Sequence, residues 1–280
     1  GIMAILAFQL NCQDLQCIGN YKGVNLLDFE KSSDACFFLL QRNTISNPHI
    51  ILKTDSNLNT LASKYTFTDI YDLDILPNGN IMLTGTNGGQ GVLLECNSNL
   101  EIVDKKTYYF NQLSVFGHDA QLVDFMQSDS INYIASIHRS DNDDYWSNGI
   151  IGTNSAGELL WSYQIGETEQ IIRRNASKVL SNGDVLLIFE YDNYNLDETK
   201  NFCIRLNPSG EIVFSRELFS PIPFQNLDLT AISEFPDGKI LLGGQLNLIQ
   251  LEIDMFEASI FLGLNSDGSF SHSKSIPALQ

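Results

Sequence analysis

FPDGKILLGG, residues 235–244, is a tight-turn phrase followed at once by an apolar run. The chain repeats it closely as LPNGNIMLTG at 76–85 and LSNGDVLLIF at 180–189. Glycine accepts positive φ at no steric cost, so Pro-Asp-Gly and its relatives read as the turn of a β-hairpin whose second arm is the apolar run. Weaker copies stand at 34–40 (DACFFLL) and 128–137 (SDSINYIASI).

A second phrase places an Asn-x-x-Gly turn between two strands: GIIGTNSAGELLWS at 149–162, FCIRLNPSGEIVFS at 202–215 and IFLGLNSDGSFSHS at 260–273. Two degenerate copies, IILKTDSNLNTLAS at 50–63 and VLLECNSNLEIVDK at 92–105, carry Leu58 and Leu100 where the glycine should be. Asn57 and Asn99 are expected to take the left-handed conformation there instead. Aligned on Asp55, Asn97, Asn154, Asn207 and Asn265, the copies are spaced by 42, 57, 53 and 58 residues, which gives five units.

Each unit holds four strand-length segments, a to d in chain order. Inner segments such as VLLIF (185–189) and FFLL (37–40) are continuously apolar, as strands are when both faces are covered. The last d segment, SFSHSK (269–274), alternates and is polar, as an outer edge should be. Repeated four-stranded meanders, buried inside and polar outside, describe an all-β fold, a β-propeller of five four-stranded blades. Six blades is the alternative if Ile2–Leu10 adds a strand; a pair of β-sandwich domains is the other. Residues 23–280 are expected to form a single propeller domain, with 1–22 an N-terminal strand or a targeting remnant.

FPDGKILLGG followed by IFLGLNSDGSF resembles the delta-60 type of bacterial β-propeller repeat, whose pattern is a DGKIL-like hairpin and then an LNxDG turn. The last unit carries the pattern well, 172–218 fairly, and the others in outline. The resemblance implies an extracytoplasmic bacterial repeat protein and brings no catalytic residues to this chain. LLWSYQIG (159–166) also resembles quinoprotein-type repeats, but a quinone would need a larger ring and its own ligands. Trp161 within it reads as a packing residue.

The formal charge of −18, from 34 acidic and 16 basic residues, repels phosphate backbones, so neither nucleic acid nor an anionic membrane is an expected partner. Ile2–Leu10 is about half the ~20 residues a transmembrane span needs. It has the length of a signal-peptide core, and Cys12 stands where a bacterial lipid anchor would attach. A periplasmic, surface or secreted location follows from these readings. Cys12 and Cys17 are close enough to pair in an oxidising compartment, whereas Cys36, Cys96 and Cys203 sit in apolar strands as small hydrophobes.

In a meander the a–b and c–d links share one end of the blade and the b–c and d–a links the other. The first set is uniformly tight, and the second is read as long and variable, so the ligand face is placed there. Its connections are TNGGQG (86–91), HRSDNDDYWSNG (138–149), EYDNYNLDETKN (190–201) and QLNLIQLEIDMFEA (245–258), with the d–a members FNQLSVFGHDA (110–120), QIGETEQIIRRNA (164–176) and FSPIPFQNLDL (219–229). TNGGQG has no following lysine or helix and is read as a hairpin loop, not a phosphate cradle.

Tyr145 and Trp146, with Tyr191 and Tyr194, offer rings for a sugar or an apolar side chain, and Asp143 offers a polar contact. Arg173 and Arg174, beside Glu167 and Glu169, suit an acidic group. His118, His138 and Arg139 complete the candidate binding set. Asp141, Asp143 and Asp144 are candidate calcium ligands, although Trp146 stands where a calcium loop turns on glycine and no glutamate closes the set.

No GxSxG, HExxH or Walker phrase occurs, and NSDGSF (265–270) lacks the sialidase spacing. The expectation is a non-catalytic binding or scaffolding protein for a glycan, peptide or partner protein, with no cofactor. The alternative is a carbohydrate-active enzyme, a glycoside hydrolase or lyase, drawing carboxylates from Asp141, Asp143, Asp144, Asp192, Glu198 or Glu169.

Overall fold

The computed structural model describes residues 24–32, 35–42, 49–66, 69–108, 120–129, 131–139, 146–165, 171–193, 198–219, 225–248 and 257–277. Among them all regular structure is strand, arranged as five four-stranded meanders. The first comprises β1 (Val24–Lys31), β2 (Cys36–Arg42), β3 (His49–Thr54) and β4 (Thr60–Thr66). The second comprises β5 (Asp69–Ile75), β6 (Ile81–Asn87), β7 (Gln90–Cys96) and β8 (Ile102–Tyr108). The third holds β9 (Ala120–Gln127), β10 (Asn132–Arg139), β11 (Trp146–Thr153) and β12 (Leu159–Ile165). The fourth holds β13 (Ile171–Val179), β14 (Val185–Asn193), β15 (Glu198–Leu206) and β16 (Ile212–Leu218), and the fifth β17 (Gln225–Glu234), β18 (Ile240–Leu248), β19 (Glu257–Leu264) and β20 (Phe270–Pro277). The strands divide between two compact units, one holding β1–β8 and β9 as far as Phe125, the other running from Met126 through β20.

The repeated phrases are the hairpin turns. Gly79, Gly183 and Gly238 take positive φ in the a–b turns, and Gly157, Gly210 and Gly268 do so in the c–d turns. The asparagine that opens the c–d turn explains its recurrence. Asn154 Oδ1 accepts the N–H groups of Ala156 and Glu158, and its Nδ2 donates to the Glu158 carboxylate at 2.7 Å. Asn97 and Asn207 repeat this with Glu101 and Glu211.

The degenerate turns depart from expectation. Leu58 (φ 62°) and Leu100 (φ 64°) themselves occupy the left-handed region, not Asn57 and Asn99. After the Leu58 N–H to Asp55 O bond the chain must turn back so that Asp55 N–H reaches Asn59 O at 3.0 Å, which puts the left-handed conformation at the fourth residue whatever its side chain. Left-handed backbone costs a leucine roughly 1–2 kcal/mol. Leu100 offsets this by complete burial, whereas Leu58 is only half-buried. Leu100→Gly is therefore expected to cost about 1–2 kcal/mol more than Leu58→Gly in urea denaturation, since the backbone gain is common to both and only the lost burial differs.

Neighbouring meanders of one unit interlock in a repeated way. The second residue of a c–d turn presents a carbonyl that its own turn leaves unused, and the preceding meander supplies the donor. Lys53 Nζ reaches Ser98 O at 2.9 Å, Trp161 Nε1 reaches Pro208 O at 2.9 Å, and Arg205 Nη1 reaches Ser266 O at 2.8 Å. Apolar contacts lie beneath. In the first unit Phe37, Ile51, Ile70, Leu83, Leu94 and Leu100 share a core. In the second unit one core gathers Tyr133, Ile150, Leu187 and Phe189, and another Ile188, Phe214, Leu242 and Leu262. Cys36, Cys96 and Cys203 are buried thiols outside any disulfide, and burial pushes the Cys203 thiol up to about 12, so it serves as core.

Candidate functional site

The expected ligand face is built on the hairpins of β10–β11 and β14–β15. β10 and β11 stay paired as far as Arg139 opposite Trp146, and β14 and β15 as far as Asn193 opposite Glu198. β12 ends opposite Asn148, which frees the next stretch of the β11 edge, and there Trp146 pairs with Ile171 in the parallel sense. Ile171 in turn lies opposite Asp192. This single bridge joins the third and fourth meanders into one eight-stranded sheet. Backbone positions Arg139, Trp146, Ile171, Asp192 and Thr199 therefore form one row across it, with strands stepping about 4.8 Å. The connections 138–149 and 190–201 leave at the same end of that sheet.

Several residues assigned to connections are strand instead. His138 and Arg139 belong to β10, Trp146 to β11, Arg173 and Arg174 to β13, Tyr191 and Asp192 to β14, and Glu198 to β15. The d–a link before β13 accordingly spans only 166–170 rather than 164–176. Arg173 stands opposite Glu190 and Arg174 opposite Phe189. Strand pairing carries past the apolar run because β14 and β15 extend each other rung by rung, whatever the side-chain polarity. The 86–91 connection is tighter still, a two-residue turn at Gly88 and Gly89, both at positive φ, as the hairpin reading expected.

Tyr191 packs at the margin of the second unit's core, its ring edge-on to Phe202 with centroids 6.4 Å apart. Trp161 is likewise a packing residue, tilted against Tyr133 at 5.9 Å. His118, Asp141, Asp143, Asp144, Tyr145, Glu169 and Tyr194 lie outside the described residues. Among those described, no cluster of His, Cys, Asp or Glu is arranged to hold a metal ion.

The sequence reading overlooked two features. One is an open groove of about 510 Å3 in the second unit, between the end of β16 and the β19–β20 hairpin. Leu218, Phe219, Leu262, Leu264 and Phe270 line it, together with Arg216 and Glu217. Phe219 and Phe270 are 70% and 60% exposed, so the groove offers purchase to an apolar side chain.

The other is a column of half-buried carboxylates on the inner strands of the first unit. β1 and β5 each carry a bulge, after Leu26 and after Ile70, and the residue following it is Asp28 or Asp72. Asp28 Oδ2 accepts the Leu73 N–H at 2.8 Å, and Asp72 Oδ2 accepts the Phe125 N–H at 2.9 Å. Each aspartate thus satisfies an edge donor on the following inner strand. Burial first, then Glu30, Asp124 and Asp28, push the Asp74 carboxyl up to about 7. Asp72 is raised well above its ordinary value by burial and by Asp124, Asp28 and Asp74, and Glu30 is raised by burial and Asp28. The signal was available as LLDF (26–29), IYDL (70–73) and LVDF (122–125), which align only once strand a of each unit is superposed.

No family model matches the chain, and no curated protein matches it in sequence. Solved structures do. The extracellular domains 1–2 of Drosophila semaphorin 1b align over 88% of this chain and 52% of that one, with 14% identity and a TM-score of 0.51. A Mycobacterium tuberculosis puromycin-hydrolyzing peptidase aligns over 91% of this chain and 38% of that one, with 9% identity and a TM-score of 0.52. An endo-arabinase from Bacteroides thetaiotaomicron aligns over 76% and 81%, with 13% identity and a TM-score of 0.46. No helix among the described residues is long and apolar enough to cross a membrane. The likeness to solved structures concerns the fold alone, and with the five antiparallel meanders it makes this an all-β chain of the β-propeller class, each meander one four-stranded blade.

Proposed function

We propose that the chain is a non-catalytic, exported bacterial binding or scaffolding propeller of the delta-60 repeat type. It holds a glycan, peptide or partner protein where the b–c connections of the third and fourth blades leave. One observation carries this reading: the Trp146–Ile171 bridge, which sets the roots of connections 138–149 and 190–201 side by side in one sheet. Residues of recognition chemistry, His138, Arg139, Trp146, Arg173, Arg174 and Tyr191, belong to paired strands there, with Tyr145, Asp143 and Tyr194 in the connections between. Aromatic rings with arginines and carboxylates suit a carbohydrate or a polar peptide.

A glycan array probed with the full chain tests the reading. For each glycan bound, Trp146→Ala with Tyr145→Ala is expected to weaken affinity at least about tenfold, the scale of losing one stacked ring. Undiminished binding removes this end of the blades from consideration. Turnover of a bound glycan, lost on replacing Asp192, Glu198 or one of the 141–144 aspartates, would replace the binding reading with the carbohydrate-active enzyme.

A further inference from the structure

We propose that the carboxylate column of the first unit is a proton-operated clamp: proton uptake draws the inner strands β1, β5 and β9 together, and proton loss loosens them. The geometry supplies both halves of such a device. The ties run strand to strand through Asp28 to Leu73 N–H and Asp72 to Phe125 N–H. Around them stand Glu30 on β1, Asp74 on β5 and Asp124 on β9, so five carboxylates face one another across three neighbouring strands.

Among the described residues, the charged groups that act on Glu30, Asp72 and Asp74 are all acidic. Those acting on Asp74 are Glu30, Asp124 and Asp28. β6 presents Thr84 opposite Asp72 and Met82 opposite Asp74, and β2 sets Leu39 opposite Asp28 and Phe37 opposite Glu30. His49 on β3 sits 3.9 Å from Asp69, at the far end of β5, where Asp69 also raises the Tyr71 phenol to about 12 after burial. Lys31 is exposed at the end of β1.

A neutral carboxyl keeps its carbonyl oxygen as an acceptor, so protonation removes repulsion and leaves the backbone ties in place. Because the folded state holds protons more tightly than the unfolded chain, its stability is greatest below the ordinary carboxylate range near 4. That stability is lost as pH rises through the raised folded values, about 7 for Asp74. The clamp is therefore tight at pH 5.5 and slack at pH 8.5. The fourth and fifth meanders carry Ala176 and Ala231 at the register positions of Asp28 and Asp72, so they lack the device and serve as an internal reference.

Hydrogen exchange of the full chain, read by mass spectrometry at pH 5.5, 6.5, 7.5 and 8.5 with labelling times scaled to the intrinsic rates, decides the matter. Peptides covering β5 and β9 are expected to open on the order of tenfold less at pH 5.5 than at pH 8.5, after allowance for partial solvent screening. Peptides of β17 and β18 should stay level. Asp74→Asn is expected to show at pH 8.5 the protection that the unmodified chain reaches only at pH 5.5, and Glu30→Gln to move part of the way. The clamp is overturned by equal pH response in both sets of peptides, by a flat profile, or by Asp74→Asn keeping the full pH dependence. Lower protection of Asp74→Asn at every pH would likewise overturn it, by marking the carboxylate as a purely structural acceptor.

Discussion

Replacing Trp161 by alanine is expected to destabilise the second unit by about 3 kcal/mol, measured by urea denaturation followed by circular dichroism. The indole is wedged between two backbones. A Cβ at Gly152, opposite it in β11, would lie 2.3 Å from the ring, and one at Gly210, in the next blade's c–d turn, 2.6 Å. Its Nε1 also donates to Pro208 O at 2.9 Å. Alanine removes the hydrogen bond and leaves a void that two glycines cannot fill. The chain carries its own remedy. At the same register position the first blade has Ala62, and the second blade's turn has Leu100 where the fourth has Gly210. Trp161→Ala combined with Gly210→Leu copies that small-large pairing and should recover at least about 1 kcal/mol relative to additivity. Strict additivity would mean that the two positions do not share a volume.

The second large effect is expected at Gly244, and the control lies next to it. A Cβ on Gly244 would sit 1.9 Å from the Asp228 carbonyl oxygen and 2.7 Å from Leu229 Cα, and on Gly85 2.0 Å from the Asp69 oxygen. Both glycines pair with the residue just before the bulge of strand a, Leu229 and Ile70, where the inner strand crowds its neighbour. The obstacle is backbone, which cannot withdraw without breaking the ladder. Gly244→Ala should therefore cost about 3 kcal/mol or more, the upper range for overpacking. Gly243→Ala meets only side-chain atoms at 3.7 Å and beyond and is expected to stay within about 1 kcal/mol. Equal effects from the two adjacent substitutions would show that the bulge relaxes freely.

The hairpins were readable because a tight turn is a contract among consecutive residues. Asn207, Gly210 and Glu211 meet over five positions, and Gly238 supplies its φ regardless of distant contacts. Strand ends were not readable in the same way. Arg173, Arg174, His138 and Trp146 look like connection residues by polarity, yet they pair, since a ladder is extended by its partner's backbone. The conformation of Leu100 was equally hidden, because what compensates its positive φ is a cavity completed by Phe37, Ile51 and Ala62 from another blade.

Five units and their four-strand order follow from local turn chemistry and apolar patterning, which act over a few residues and need no knowledge of the rest of the chain. Long-range assembly settled the remainder: the Trp146–Ile171 bridge that gathers two connections at one end, the wedge of Trp161 on Gly210, and the carboxylates of Asp28, Asp72 and Asp124 on adjacent strands. Each depends on groups some 25 to 50 positions apart meeting across strands, and their energies, repulsion among half-buried like charges above all, exist only once that meeting occurs.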